Sequence, residues 1–204
     1  MKYKNCSVKE FLNQVKKHEL KILRDEGLYR HIRLAAPETL NAYFEIITWP
    51  GHLCFTGDMG TYVFKRLEDM FSFFRTEIGT FPRINPDYWG EKLQAVDTHV
   101  GYKKFDVEAF LETVFEIYEG FFDKNIVDAT KLKNKKQQLA EAIFNAHLDS
   151  GEPGVFNKTR DWFEEQGLQI DLWEVSCLEH TYHFLWCCYA IQWAIGKYDE
   201  VKKE

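Results

Sequence analysis

Residues 43–75, YFEIITWPGHLCFTGDMGTYVFKRLEDMFSFFR, leave the chain few ways to fold. Three runs rich in β-branched and aromatic residues, 43–49, 52–56 and 61–66, are separated by Trp49-Pro50-Gly51-His52 and Thr56-Gly57-Asp58-Met59-Gly60. Pro fixes φ and Gly accepts positive φ, so Pro50-Gly51 suits the middle of a tight turn. Gly57 and Gly60 bracket the second turn, where Asp58 can bond its own backbone. The pattern predicts a small antiparallel meander with polar groups on its turns. Rigid turns of this kind often carry binding or catalytic groups. A short helix through Leu67, Met70, Phe71 and Phe74 should follow at once.

The flanking sequence extends this frame. Ser7 and Glu10 form a capping-box pattern, and Phe11, Leu12, Val15 and Leu20 predict a helix to about Leu23, with Gly27 ending it. Residues 29–34 alternate as a strand, Arg30 and Ile32 on one face and Tyr29, His31 and Arg33 on the other, until Pro37 breaks the run. Residues 76–104 are irregular and aromatic, with Phe81, Tyr88, Trp89 and Tyr102 among glycines and prolines. A segment of that length is expected to be a lid, a partner surface or part of the core rather than a linker. Within it, Asn85-Pro86 can open a short helix, since Pro at the first helical position gives up only an unpaired donor.

Beyond Asp106 the chain reads as helical. Asp106 suits an N-cap, and Val107, Phe110, Leu111, Val114, Tyr118 and Phe121 make an apolar stripe beside an acidic one of Glu108, Glu112, Glu116 and Glu119. The next helix, 131–147, opens with Lys131, Lys133, Lys135 and Lys136, which an antiparallel hairpin would set near Glu116 and Glu119. A short helix at 157–166 closes at Gly167. The last, 174–197, is apolar nearly all round over 184–195, as a helix in the middle of a bundle is. The expected fold is α+β in one domain, 1–204: an N-terminal antiparallel β-meander with a helix (1–104), packed against a mostly helical half (105–204).

Charge and cysteine usage exclude several classes of function. A net charge of −6 argues against a general nucleic-acid binder, which needs a basic face, and is too mild for a mimic of DNA. The opening Met1-Lys-Tyr-Lys-Asn lacks the apolar core of a secretory signal, and no run of about 18 apolar residues would span a membrane. Cys6, Cys54, Cys177, Cys187 and Cys188 are odd in number and without C-x-x-C spacing, which favours reduced cytoplasmic thiols over a disulfide framework or a structural zinc site.

Chemistry-bearing residues fall into two groups. On the last helix His180, His183 and Cys187 lie at i, i+3 and i+7. The first and last are about 10.5 Å apart along the axis, too far for one ion about 2–2.3 Å from each ligand, so no metal or other cofactor is expected. In the meander, His52, Asp58 and Tyr62 could serve as base, orienter and acid if another element brought them together. Arg30, Arg33, Lys65 and Arg66 could then meet phosphates. Motifs for an activated nucleophile, a phosphate loop or a dinucleotide fold are absent. In the irregular segment Arg83, Tyr88 and Trp89 are of the residue types that dominate protein interfaces.

The run WPGHLCFTGDMGTYVFKRLEDMFSFFR, followed by INPDYWGEKL and closing in FLWCCYAIQWAIGKYD, resembles a family of proteins encoded by phages and prophages of proteobacteria. The likeness covers most of the chain, and Gly-Asp-Met-Gly-Thr-Tyr is its most specific part. That family has no established activity, so the resemblance transfers no catalytic residue. It implies a small accessory protein of the bacterial cytoplasm. Two readings follow. The first is a non-enzymatic protein that binds a bacterial host or defence protein, itself monomeric or homodimeric, through groups such as Arg83, Tyr88, Trp89, Arg30, Arg33 and Arg66. The second is an enzyme or binding protein for a nucleotide or nucleic acid that uses His52, Asp58 and Tyr62.

Overall fold

A computed structural model describes residues 6–76, 82–122, 129–172, 175 and 177–203. The fold is α+β. The chain divides into two compact units, one formed by the stretch up to Lys103 together with the stretch from His180, the other by Lys104–Glu179.

The first unit is built on a six-stranded antiparallel sheet in simple sequence order. Its strands are β1 (Glu19–Glu26), β2 (Tyr29–Ala35), β3 (Phe44–Trp49), β4 (His52–Gly57), β5 (Tyr62–Lys65) and β6 (Leu93–Val96). Helix α1 (Val8–Val15) precedes it, and α2 (Met70–Phe74) and α3 (Pro86–Gly90) interrupt it between β5 and β6. The predicted starts at Ser7 and Asn85 are made, Ser7 accepting from the Glu10 amide and Asn85 from that of Tyr88. Helix α2 begins at Met70 rather than Leu67, after a cap not anticipated from the sequence, Asp69, which accepts from the Phe71 amide. The predicted continuation of the first helix to Leu23 is replaced by a strand. Three and four residues beyond Val15 stand His18 and Glu19, so the apolar stripe lapses. Leu20 and Ile22 then alternate and pair with Leu34 and Ile32. Gly27, with φ of 64°, is the first residue of a two-residue hairpin loop rather than a helix stop.

The final helix, α6 (Tyr182–Val201), belongs to this unit and not to a helical half running from 105. It begins later than the sequence predicts, after cap Thr181; Trp173, Glu174 and Ser176 lie outside the described residues. Its rings pack on the inner face of the sheet, Trp186 against Phe44 and Phe55 and Phe184 against Tyr62 and Phe64. Leu185 and Trp186 are buried, as a helix apolar nearly all round requires. Gln192, its one interior polar residue, is buried and clamps the Arg83 backbone, accepting from its amide at 2.7 Å and donating to its carbonyl at 3.2 Å.

The second unit is helical. Helix α4 (Val107–Gly120) is capped by Asp106, and α5 (Ala129–Glu165) is broken at Gly151, whose φ of 61° leaves the helical region. Phe110, Val114, Leu139, Ile143, Val155 and Phe163 form its buried centre. The expected charge pairing of the hairpin is present as Lys136–Glu119 at 2.6 Å. Two short strands, β7 (Lys103–Phe105) and β8 (Leu178–His180), pair with each other where the chain leaves the first unit and returns to it. No helix among the described residues is long and apolar enough to cross a membrane.

Candidate functional site

The meander residues proposed for acid–base chemistry do not converge. His52 opens β4 on the outer face, the side of the sheet away from α6; its Nδ1 bonds the Pro50 carbonyl at 3.0 Å and its ring stacks on Trp49 at 5.0 Å. Asp58 lies beyond the other end of that strand, its Oδ2 accepting from the Ala42 amide at 2.6 Å. This bond holds Ala42 at a φ of 57°, so the carboxylate is a turn brace. Tyr62 is fully buried on the inner face, its hydroxyl donating to the Gly101 carbonyl at 3.0 Å, and burial pushes its pKa up. Three groups on two faces and at two ends of a strand cannot act on one substrate.

The proposed binding residues separate in the same way. Arg30 points to the inner side, where Asp69 holds it by two bonds of 2.8 and 3.2 Å and its guanidinium covers the Phe71 ring. Arg33 is on the outer face, 3.7 Å from Glu45 and over the Tyr43 ring. The phosphate cluster expected from Arg30, Arg33, Lys65 and Arg66 is therefore split between faces. Trp89 is a core residue, 5% exposed and edge-on to Phe74 at 4.8 Å, so it is no surface anchor. Tyr88, 37% exposed, does reach solvent, flanked by Lys92 at 4.4 Å from its ring and by Phe73. Arg83 and Arg66 are exposed. Phe81 lies outside the described residues.

The three candidate ligands of the last helix are also apart. His180 ends β8, before the helix begins, and bonds Asp87 Oδ1 at 2.9 Å. His183 is in the first turn of α6, and Cys187 is fully buried, its pKa pushed well up by burial. No group of three His, Cys, Asp or Glu side chains among the described residues could hold a metal ion.

What the fold does assemble is a surface. Strand pairing places Ile47, Cys54, Val63 and Ala95 side by side across four strands on the outer face, with His31 next in line on β2 and Arg24 on β1. Ile47, Cys54 and Val63 are half-buried and Ala95 is exposed, so among the described residues none buries this row as the inner face is buried. One flanking row carries Lys21, Arg33, Glu45 and Thr56. The other carries Glu26, Tyr29, the Trp49–His52 stack and Lys65. The charges of this face answer one another: Arg24 meets Glu26 at 2.6 Å, and Glu45 meets both His31 at 2.6 Å and Arg33. The alternation of Glu45, Ile47 and Trp49 was the available signal for this face. That alternation marks an outer face but does not say whether another element covers it.

Comparison of the chain with protein-family models, with curated proteins and with solved structures finds no match in any of the three.

Proposed function

We propose that the protein acts by binding another protein, without catalysis, and that the outer face of the six-stranded sheet is the docking surface. The observation that carries this reading is the uncovered apolar row Ile47, Cys54, Val63 and Ala95, bordered by an aromatic stack and by charges already paired on the same face. An apolar centre with a polar rim is the anatomy of a protein interface. A phosphate-binding face would instead need clustered uncommitted cations. Here Arg24 and Arg33 sit beside carboxylates, Lys21 and Lys65 stand in opposite flanking rows on β1 and β5, and Arg30 lies on the other side. The use of His52, Asp58 and Tyr62 in stacking, bracing and burial removes the support for the nucleotide-acting alternative. The partner is a folded protein with its own apolar patch. The likeness to phage and prophage accessory proteins supports a bacterial host or defence protein, met in the cytoplasm.

The test compares the tagged chain with an Ile47→Glu/Val63→Glu variant in a bacterial extract. The expected result is a protein retained in equal amount to the wild-type chain and lost from a variant of unchanged circular dichroism. A protein captured equally by both, or a nucleotide that copurifies with both, would overturn the assignment of the face.

A further inference from the structure

We propose that in the absence of another protein a second copy of the chain closes over this outer face. The inference rests on the reading of the face as a docking surface and names its occupant in the free protein. Pairing along a sheet edge is the usual alternative, and both edges are blunted. Strand β1 carries a bulge between Ile22 and Arg24, and Asp25, on its inner side, is engaged by Tyr198 at 2.8 Å and Lys202 at 2.9 Å. Strand β6 is only four residues long. Bulges, inward charges and short edge strands are the features that prevent edge pairing. The open face has no such protection.

The face is also self-complementary. A twofold axis laid along the central row, midway between two facing sheets, sets that row against itself and exchanges the two flanking rows. Ile47, Cys54 and Val63 then each meet their own counterpart, an apolar seam. Lys21 of one copy comes over Glu26 of the other, Arg33 over the Tyr29 ring, and Glu45 over the Trp49–His52 stack. Arg24 and His31 approach their own counterparts, but each brings its carboxylate, Glu26 and Glu45, so no bare like charges face each other. Six strands about 4.8 Å apart and about 17 Å of strand give a face that buries on the order of 1,000 Å² when two copies meet. That is the lower limit for a specific interface, so the dimer should be weak and concentration-dependent.

Sedimentation velocity of the full chain from low micromolar to several hundred micromolar tests this directly. The wild type should pass from monomer to dimer, and the Ile47→Glu/Val63→Glu variant should stay monomeric throughout. A short bis-maleimide should join two wild-type chains and fail on Cys54→Ala. Should the double variant not fold, Thr56→Arg, which adds a charge in a flanking row, is expected to shift dissociation at least tenfold. A wild type that is monomeric at every concentration overturns the inference while leaving the docking reading to the capture experiment. So does a dimer that survives these substitutions and is not joined at Cys54.

Discussion

At the scale of single residues, the groups that look chemical in the sequence are mostly committed to holding the fold. Gly57 shows how tightly. Its φ is 145°, and a Cβ there would run into the backbone of Tyr43 and Phe44 on the neighbouring strand. Gly27 also has positive φ but open space around it. Gly57→Ala should therefore cost well over about 1 kcal/mol in urea unfolding, with Gly27→Ala costing less, since only backbone strain applies there. Equal costs would show that the strands can part at no penalty. Asp69 makes a second case. Burial acts to raise its pKa, but the hydrogen bonds and charge of Arg30 outweigh this and hold it below the ordinary carboxylate value. A carboxylate depressed in the folded state adds stability above its unfolded pKa of about 3.9 and loses it as pH falls through the lower folded value. The unfolding midpoint should therefore drop on acidification below about pH 4, and Asp69→Asn should start lower at neutral pH and change less. A variant that parallels the wild type at every pH would remove Asp69 from the account.

At the scale of elements, α6 is the largest contributor to the core of the first unit. Trp186 touches Phe11, Phe44 and Phe55 and donates from its Nε1 to Gln14 at 2.7 Å. Trp186→Ala should cost about 3–5 kcal/mol, read as a shift of the denaturant midpoint, because a large cavity opens among Phe11, Phe44 and Phe55. A cost below about 1 kcal/mol would mean that the helix repacks without it. The same elements show what the sequence makes legible. Caps at Ser7, Asn85 and Asp106 could be read because each depends on a local hydrogen bond from a short polar side chain. Strands β3 to β5 could be read from their turns. Strand β1 could not, because Glu19–Glu26 contains residues acceptable in a helix, and only pairing with Leu34 and Ile32 decides the outcome. Strand β6 was hidden for the same reason, being held by Tyr62, Val63 and Phe64 some thirty residues earlier. Candidate chemistry in His52, Asp58 and Tyr62 failed on the period-two alternation across β4 and β5, which sends neighbours to opposite faces.

At the scale of the whole molecule, the division of the chain does not follow its order. The inner face of the sheet is closed by the last helix, so the first unit is complete only when residues 1–103 and those from 180 are both present. Among the described residues no buried residue of its core comes from the intervening stretch, and Lys104–Glu179 has a separate core of its own. The exit and return points are adjacent: Thr181 donates to the Tyr102 carbonyl at 3.1 Å, and Asp106 to that of Cys177 at 2.8 Å. A gap of that size is what a two-residue hairpin loop spans, and Asn-Gly is the preferred loop sequence. Replacing Lys104–Glu179 by Asn-Gly should therefore leave a protein that retains the sheet and α6. Its unfolding in urea should be a single cooperative transition, with near-ultraviolet dichroism from Trp49 and Trp186 preserved. If this face docks as proposed, the shortened chain should also keep the dependence on Ile47 and Val63, since neither residue lies in the removed stretch. A shortened chain without near-ultraviolet signal or a cooperative transition would show instead that the sheet and α6 need the excised helices to fold.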